Sequence, residues 1–223
     1  FAFAMVAYLV GTIGAALAST DSEGASVRRL ASGAVALGWL LHGVGIIVLA
    51  QADGRLAPVN LAEYLLLFGW AVIAAYLVVG VRGGVQATGL ILPPLALLAV
   101  GVGVALPTPA ATESASRGGA WFVFHTAAAT LGMAVLSLAL AMSLMYVVLD
   151  RALKSRRRLV LLARLPPLER CDRIGYQALL VGFVLLTIGI GTGIIVRRVV
   201  QARMLVMGVK QFSPILAWVV FAV

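Results

Sequence analysis

Charge is what this sequence lacks most. Only 11% of its residues are Asp, Glu, Lys or Arg, 62% are hydrophobic, and mean hydropathy is +1.08. A soluble domain of 223 residues is not that apolar. Cysteine is almost absent. Cys171 stands alone, which excludes an internal disulfide, and no cysteine or histidine near it completes a zinc or redox motif. Acidic residues number only eight. No acid pair falls inside an apolar run, and neither a nucleophile elbow nor a metalloprotease helix is present. Period-two alternation is also missing, which argues against a membrane β-barrel. Histidine is scarce as well, with two copies.

What is there is long apolar runs. Seven can be read, at about 1–18, 31–50, 61–81, 88–106, 120–149, 174–196 and 211–223. Most reach the ~20 residues that cross a bilayer as a helix. In lipid a spanning segment must satisfy its own backbone groups, so these runs are expected to be helices. The expected architecture is an all-α polytopic transmembrane bundle in a single membrane domain, 1–223. Neither end shows a starting Met or a charged leader, so the chain reads as part of a longer protein with eight spans. Pro93-Pro94 should make the fourth helix kink or begin irregularly. The fifth run is too long for a ~30 Å hydrocarbon core, so its end is expected to project into the cytoplasm.

Charge orients the bundle. Loops 19–30, 82–87 and 150–173 carry eleven basic residues, including Arg156, Arg157 and Arg158. The opposite side carries six: Arg55, Arg117, Arg197, Arg198, Arg203 and Lys210. The positive-inside rule then places the first set in the cytoplasm, with the N-terminus and the 197–210 loop outside. The net charge of +9 is read as topology and lipid-headgroup attraction, not as nucleic-acid binding.

Both histidines fall inside apolar runs. His42 lies near the middle of the second and His125 at the outer start of the fifth. Trp39 precedes His42 by three residues and Trp121 precedes His125 by four, so each pair shares a helix face. An imidazole at membrane depth is costly and faces a partner or a cavity. Two readings stay open on the residues alone: polar glue between helices, or a pair of metal or heme ligands flanked by flat aromatic walls. Gly182, Gly189, Gly191 and Gly193, in GFVLLTIGIGTG, are read as close-packing positions and not as a nucleotide loop. The stretch LPPLERCDRIGYQ at 165–177 is read as a short interfacial element re-entering the membrane. Glu63, at the outer end of the third run, is read as a solvated interface residue.

Two stretches carry a resemblance. WFVFHTAAATLGMAVLSLALAMSLMYVVLDRALK is followed by LPPLERCDRIGYQALLVGFVLLTIGIGTGII. A histidine opening a long helix, an LPxLExxDRxxY stretch and an LLTxGIxTG helix occur in that order. The chain thereby resembles the cytochrome c assembly protein family, the CcsA/CcmC/HemX-like group of heme-handling membrane proteins. WLLH at 39–42 and SPILAW at 213–218 extend the likeness. The family's synthetases carry an external tryptophan-rich segment ending in Trp-Asp-Pro-Lys. The corresponding stretch here, VRRVVQARMLVMGVKQFS, holds Lys210 but no tryptophan or aspartate, which places the chain nearest the HemX/YpjD-like branch.

The resemblance implies a protein of the bacterial inner membrane that handles heme b in cytochrome c biogenesis, an assembly factor more than a catalyst. By it, His125 is an external heme ligand and His42 an intramembrane one, with Trp39 and Trp121 as walls. Partners would be lipids, other membrane subunits or cytochrome assembly factors. The rival expectation is a heme-free accessory subunit that retains the fold.

Overall fold

A computed structural model describes residues 1–17, 22–81, 86–107, 119–155, 166–201, 216, 218 and 219. Among the described residues six α-helices carry the fold: α1 (Ala2–Leu17), α2 (Ser22–Ala52), α3 (Leu61–Ala75), α4 (Leu92–Ala105), α5 (Gly119–Ser155) and α6 (Leu168–Gln201). A π-helical turn, Tyr76–Val81, continues α3, and a 3-10 turn, Gln86–Leu90, leads into α4. No strand occurs among the described residues. The chain is all-α, as expected.

Five stretches are long and apolar enough to cross a membrane: Gly24–Ala52, Leu61–Val79, Ala87–Ala105, Gly119–Lys154 and Leu168–Val196. Helix α1 is apolar but only 16 residues long. The expected seventh segment, 211–223, lies outside the described residues except at 216, 218 and 219. The described count is therefore five spans and one shorter apolar helix, where the sequence suggested seven segments.

The surface supports a multi-pass membrane protein. Leu37, Leu40, Leu41, Val44, Ile47 and Val48 of α2 are all exposed, as are Leu180, Val181, Val184 and Ile188 of α6. Apolar faces of that extent are untenable in water and suit lipid.

Three antiparallel pairs organise the bundle: α1 with α2, α3 with α4, and α5 with α6. Helix α3 also packs on α5, which ties the last pair to the rest, whereas α2 meets α3 only slightly. The core gathers Tyr8, Val35, Leu66, Val72, Ile73, Leu92, Ala96 and Val100, and continues through Leu138 and Met142. Small residues set the spacing. A Cβ on Gly11 would collide with Val35, and one on Gly38 would sit 2.6 Å from the Ala7 Cβ, so α1 and α2 approach closely. Gly132 and Gly182 do the same between α5 and α6, where an added Cβ would stand 2.9 Å from the Leu186 backbone and 2.8 Å from the Leu136 side chain.

Two helices start earlier than hydropathy suggests. Helix α2 begins at Ser22, so Arg28 and Arg29 sit on it and not in a loop. Helix α6 begins at Leu168, directly after Pro166-Pro167, so the expected separate interfacial element is the first two turns of the membrane helix itself. Charged residues are good helix formers, and only their polarity hid them. Pro93-Pro94 marks the start of the fourth membrane helix, and the fifth run forms a long helix, as expected. Helix α4 starts with its prolines in the first turn, where a missing N–H costs nothing. Helix α5, at 37 residues, is roughly 55 Å long by helical rise. Residues 156–165 and 202–215, the middle of each assigned loop, lie outside the described residues.

Candidate functional site

His42 is fully buried. Its Nδ1 lies 3.0 Å from the hydroxyl of Tyr8 on α1, a residue also fully enclosed. Phe1 meets the imidazole edge-on at 5.3 Å between centroids. The backbone of Leu66, on α3, also lies against the ring. Among the described residues Nε2 has no partner in strict hydrogen-bond geometry, and the Leu66 backbone is a looser partner of the ring. An orphaned buried polar atom of this kind costs about 1–3 kcal/mol unless something occupies it. The pairing with Tyr8 depends on Gly38, one turn before His42: a Cβ there would press on the Tyr8 ring at 3.2 Å.

Trp39 does not turn toward His42. It stacks on Trp70 of α3 at 4.9 Å and 15°, and its Nε1 donates to the Trp70 carbonyl at 3.1 Å. The Trp70 indole N–H is itself buried without a partner and lies against Gly43, where an added Cβ would meet it at 3.0 Å. Phe1, Tyr8 and Trp70 were absent from the candidate residues read in sequence. No local motif marks them, because they lie 28 or more positions from His42.

His125 sits on the opposite helix pair. Its Nδ1 is 2.7 Å from the carbonyl oxygen of Gly189 on α6. A carbonyl only accepts, so Nδ1 carries the proton and donates, and Nε2 keeps its lone pair. Among the described residues Nε2 has no hydrogen-bond partner. Gly193 makes the arrangement possible: a Cβ there would stand 2.7 Å from the imidazole Cε1. A Cβ on Gly189 would stand 3.0 Å from the Ala129 backbone. Three of the four glycines are therefore packing positions, and Gly193 packs the histidine itself; a Cβ on Gly191 would meet nothing within 4 Å. Trp121, four residues earlier, is half exposed at 51% and makes no described ring contact.

The two histidines share no contact. One belongs to the α1–α2 pair and the other to α5–α6. Among the described residues no three His, Cys, Asp or Glu side chains gather as a metal cluster. Each imidazole would supply one nitrogen to a site of its own.

A further polar cluster closes the α2–α3 turn. Arg55 grips Glu63 with both terminal nitrogens, at 2.5 and 2.7 Å, and its Nη2 also reaches Asp53 at 2.8 Å. Asn60 caps α3 by accepting the Glu63 N–H at 2.9 Å, while its amide and the Val59 N–H donate back to the Glu63 carboxylate. Glu63 is only 8% exposed. This corrects its reading as a solvated residue: it is the buried acceptor of the turn, and Asn60 is the N-cap of α3. The carboxylate holds the Arg55 guanidinium charged even beyond its ordinary range. Beside the bridge opens a small cleft of about 40 Å³ whose walls include Ile46, Leu49, Leu66 and Leu67.

Comparison with known proteins follows the same lines. The chain matches the cytochrome C assembly protein family over residues 58–223, which contains His125 but not His42. It is 25% identical over 170 residues to the protein HemX of Brevibacillus brevis, covering 76% of this chain and 62% of that relative. The chain thus spans rather less than two thirds of the length of the curated relative it matches. No solved structure matches. Since the family match covers well over half of the sequence, the chain belongs to the cytochrome c assembly protein family.

Proposed function

We propose that this chain binds heme b in the membrane and handles it during cytochrome c assembly, with His125 and His42 as the iron-binding residues. Heme iron takes axial nitrogen donors and carries a flat apolar macrocycle. The observation that carries the reading is the hydrogen bond from His125 Nδ1 to the Gly189 carbonyl, which leaves Nε2 as a free donor. Metal-ligating histidines are typically held this way, through the nitrogen that does not bind. The orphaned Nε2 of His42 fits the same chemistry. Trp121, one turn before His125 and half exposed, would wall a macrocycle. Trp39 would act through the Trp39–Trp70 stack and not as a free wall. The charge distribution supports a bacterial inner-membrane orientation with the N-terminus outside and the 150–173 loop cytoplasmic. Lipid, other membrane subunits and cytochrome assembly factors are the partners this reading implies.

Expression under heme-replete conditions, followed by heme-to-protein stoichiometry, tests the proposal. Wild-type chain retaining heme, with His125→Ala losing it, is the expected result. A heme-free wild type would favour the second reading, an accessory subunit that keeps the family fold without its cargo. One observation supports that rival: Phe1, Tyr8 and Leu66 already enclose the His42 imidazole.

A further inference from the structure

We propose that Thr192 sets the donor strength of His125 by competing with it for the Gly189 carbonyl. The consequence for iron rests on the heme reading, whereas the competition itself belongs to the protein without cargo.

Hydroxyls inside helices commonly return their proton to a carbonyl one turn back. Thr126, Ser137, Ser143 and Thr187 do so here, each donating to the carbonyl four residues earlier. Thr192 does the same to Ile188 at 2.7 Å, but its Oγ1 also stands 3.0 Å from the Gly189 oxygen. That oxygen is the one His125 Nδ1 reaches at 2.7 Å. The helical ladder of α6 aims the Gly193 N–H at it as well. A carbonyl oxygen offers two lone pairs, so three donors oversubscribe it. Thr192 is buried, so its hydroxyl has little water to turn to instead.

Of the three donors, the ladder N–H is fixed by the helix and the imidazole by the notch at Gly193. The Thr192 hydroxyl is the one that turns, by rotation about its C–O bond, between Ile188 and Gly189. Its share of the Gly189 oxygen weakens the His125 hydrogen bond. Outer partners raise the basicity of a ligating imidazole, so a weaker bond at Nδ1 makes Nε2 a poorer donor. Thr192 is therefore a positioning residue that acts through Gly189 and His125. It holds the imidazole below the donor strength that Gly189 alone would give.

The test compares Thr192→Val, which keeps the shape but removes the hydroxyl, with Thr192→Ser, which keeps the hydroxyl. Each carries 15N-labelled histidine in lipid nanodiscs without heme, and His42→Ala assigns the two imidazoles. The expected result is a downfield shift of the His125 Nδ1–H proton in Thr192→Val. Thr192→Ser should keep the wild-type position, and the His42 signals should stay put in both. An unmoved or upfield proton in Thr192→Val would overturn the proposal, because the hydroxyl would then serve Ile188 alone or support the imidazole. A second arm loads the same proteins with hemin and reads the reduction potential and the rate of hemin loss to an apoprotein scavenger. Thr192→Val should lower the potential and slow hemin loss about two- to fivefold, part of the worth of one neutral hydrogen bond. Thr192→Ser should match wild type, and a raised potential in Thr192→Val would overturn the proposal. If the proton shifts but wild type takes up no hemin, or the potential does not move, the competition stands and the heme reading at His125 falls. The two failures are thereby told apart.

Discussion

At the scale of the residue, the arrangement at His125 is governed by an atom that is not there. Gly193 leaves the space into which the imidazole edge fits. Gly193→Ala should push the ring from the Gly189 carbonyl and lower heme content toward that of His125→Ala. Gly191→Ala, with open space around it, should leave both heme content and melting temperature unchanged. Heme stoichiometry of the two variants side by side checks this. Glu63 gives a second residue-scale prediction. Glu63→Gln keeps the cap but removes the charge that the Arg55 fork requires, and should cost about 1–3 kcal/mol, read as a lower melting temperature in detergent. The sequence announced both histidines through their depth in apolar runs. It could not announce Tyr8 or Trp70, because the contacts that matter run between helices whose register only packing sets.

At the scale of the element, apolar runs located every described helix but misjudged two of their starts. Hydropathy reports which part of a helix lipid can cover, not where the helix begins. Arg28 and Arg29 extend α2 inward from the run that begins at 31, and the LERCDR turns extend α6 in the same way. Proline was the better guide, since Pro93-Pro94 and Pro166-Pro167 each mark a true helix start. The glycines of α6 were legible as packing positions, although not which helix they would meet. The α5–α6 seam yields a prediction of its own. Gly132→Leu would drive a side chain into the Leu186 backbone, and overpacking of this kind costs about 1–3 kcal/mol. Because α6 packs chiefly on α5, this variant should loosen α6 before the rest of the bundle. Proteolysis of the variant in detergent, compared with wild type, would show cleavage at the α5–α6 connection and within α6 first.

For the whole molecule, the fold class was plain from composition, and the arrangement of pairs was not. Nothing in hydropathy says that α2 packs along α1 and meets α3 chiefly through the Trp39–Trp70 stack. The orientation derived from charge can be tested cleanly, because Cys171 is buried and contributes little background labelling. A membrane-impermeant maleimide should label Leu56→Cys in intact cells, and Arg157→Cys only after the membrane is opened. The reverse pattern would invert the bundle and put His125 on the cytoplasmic side.

The central claim is that these two imidazoles hold heme iron. The most direct measurement is the visible spectrum of the purified protein, oxidised and reduced, beside His42→Ala and His125→Ala. The account predicts a heme band in the wild type that is lost or shifted in each variant, most severely for His125→Ala, whose free nitrogen is already set by Gly189. A wild-type band that survives both substitutions unchanged would contradict it.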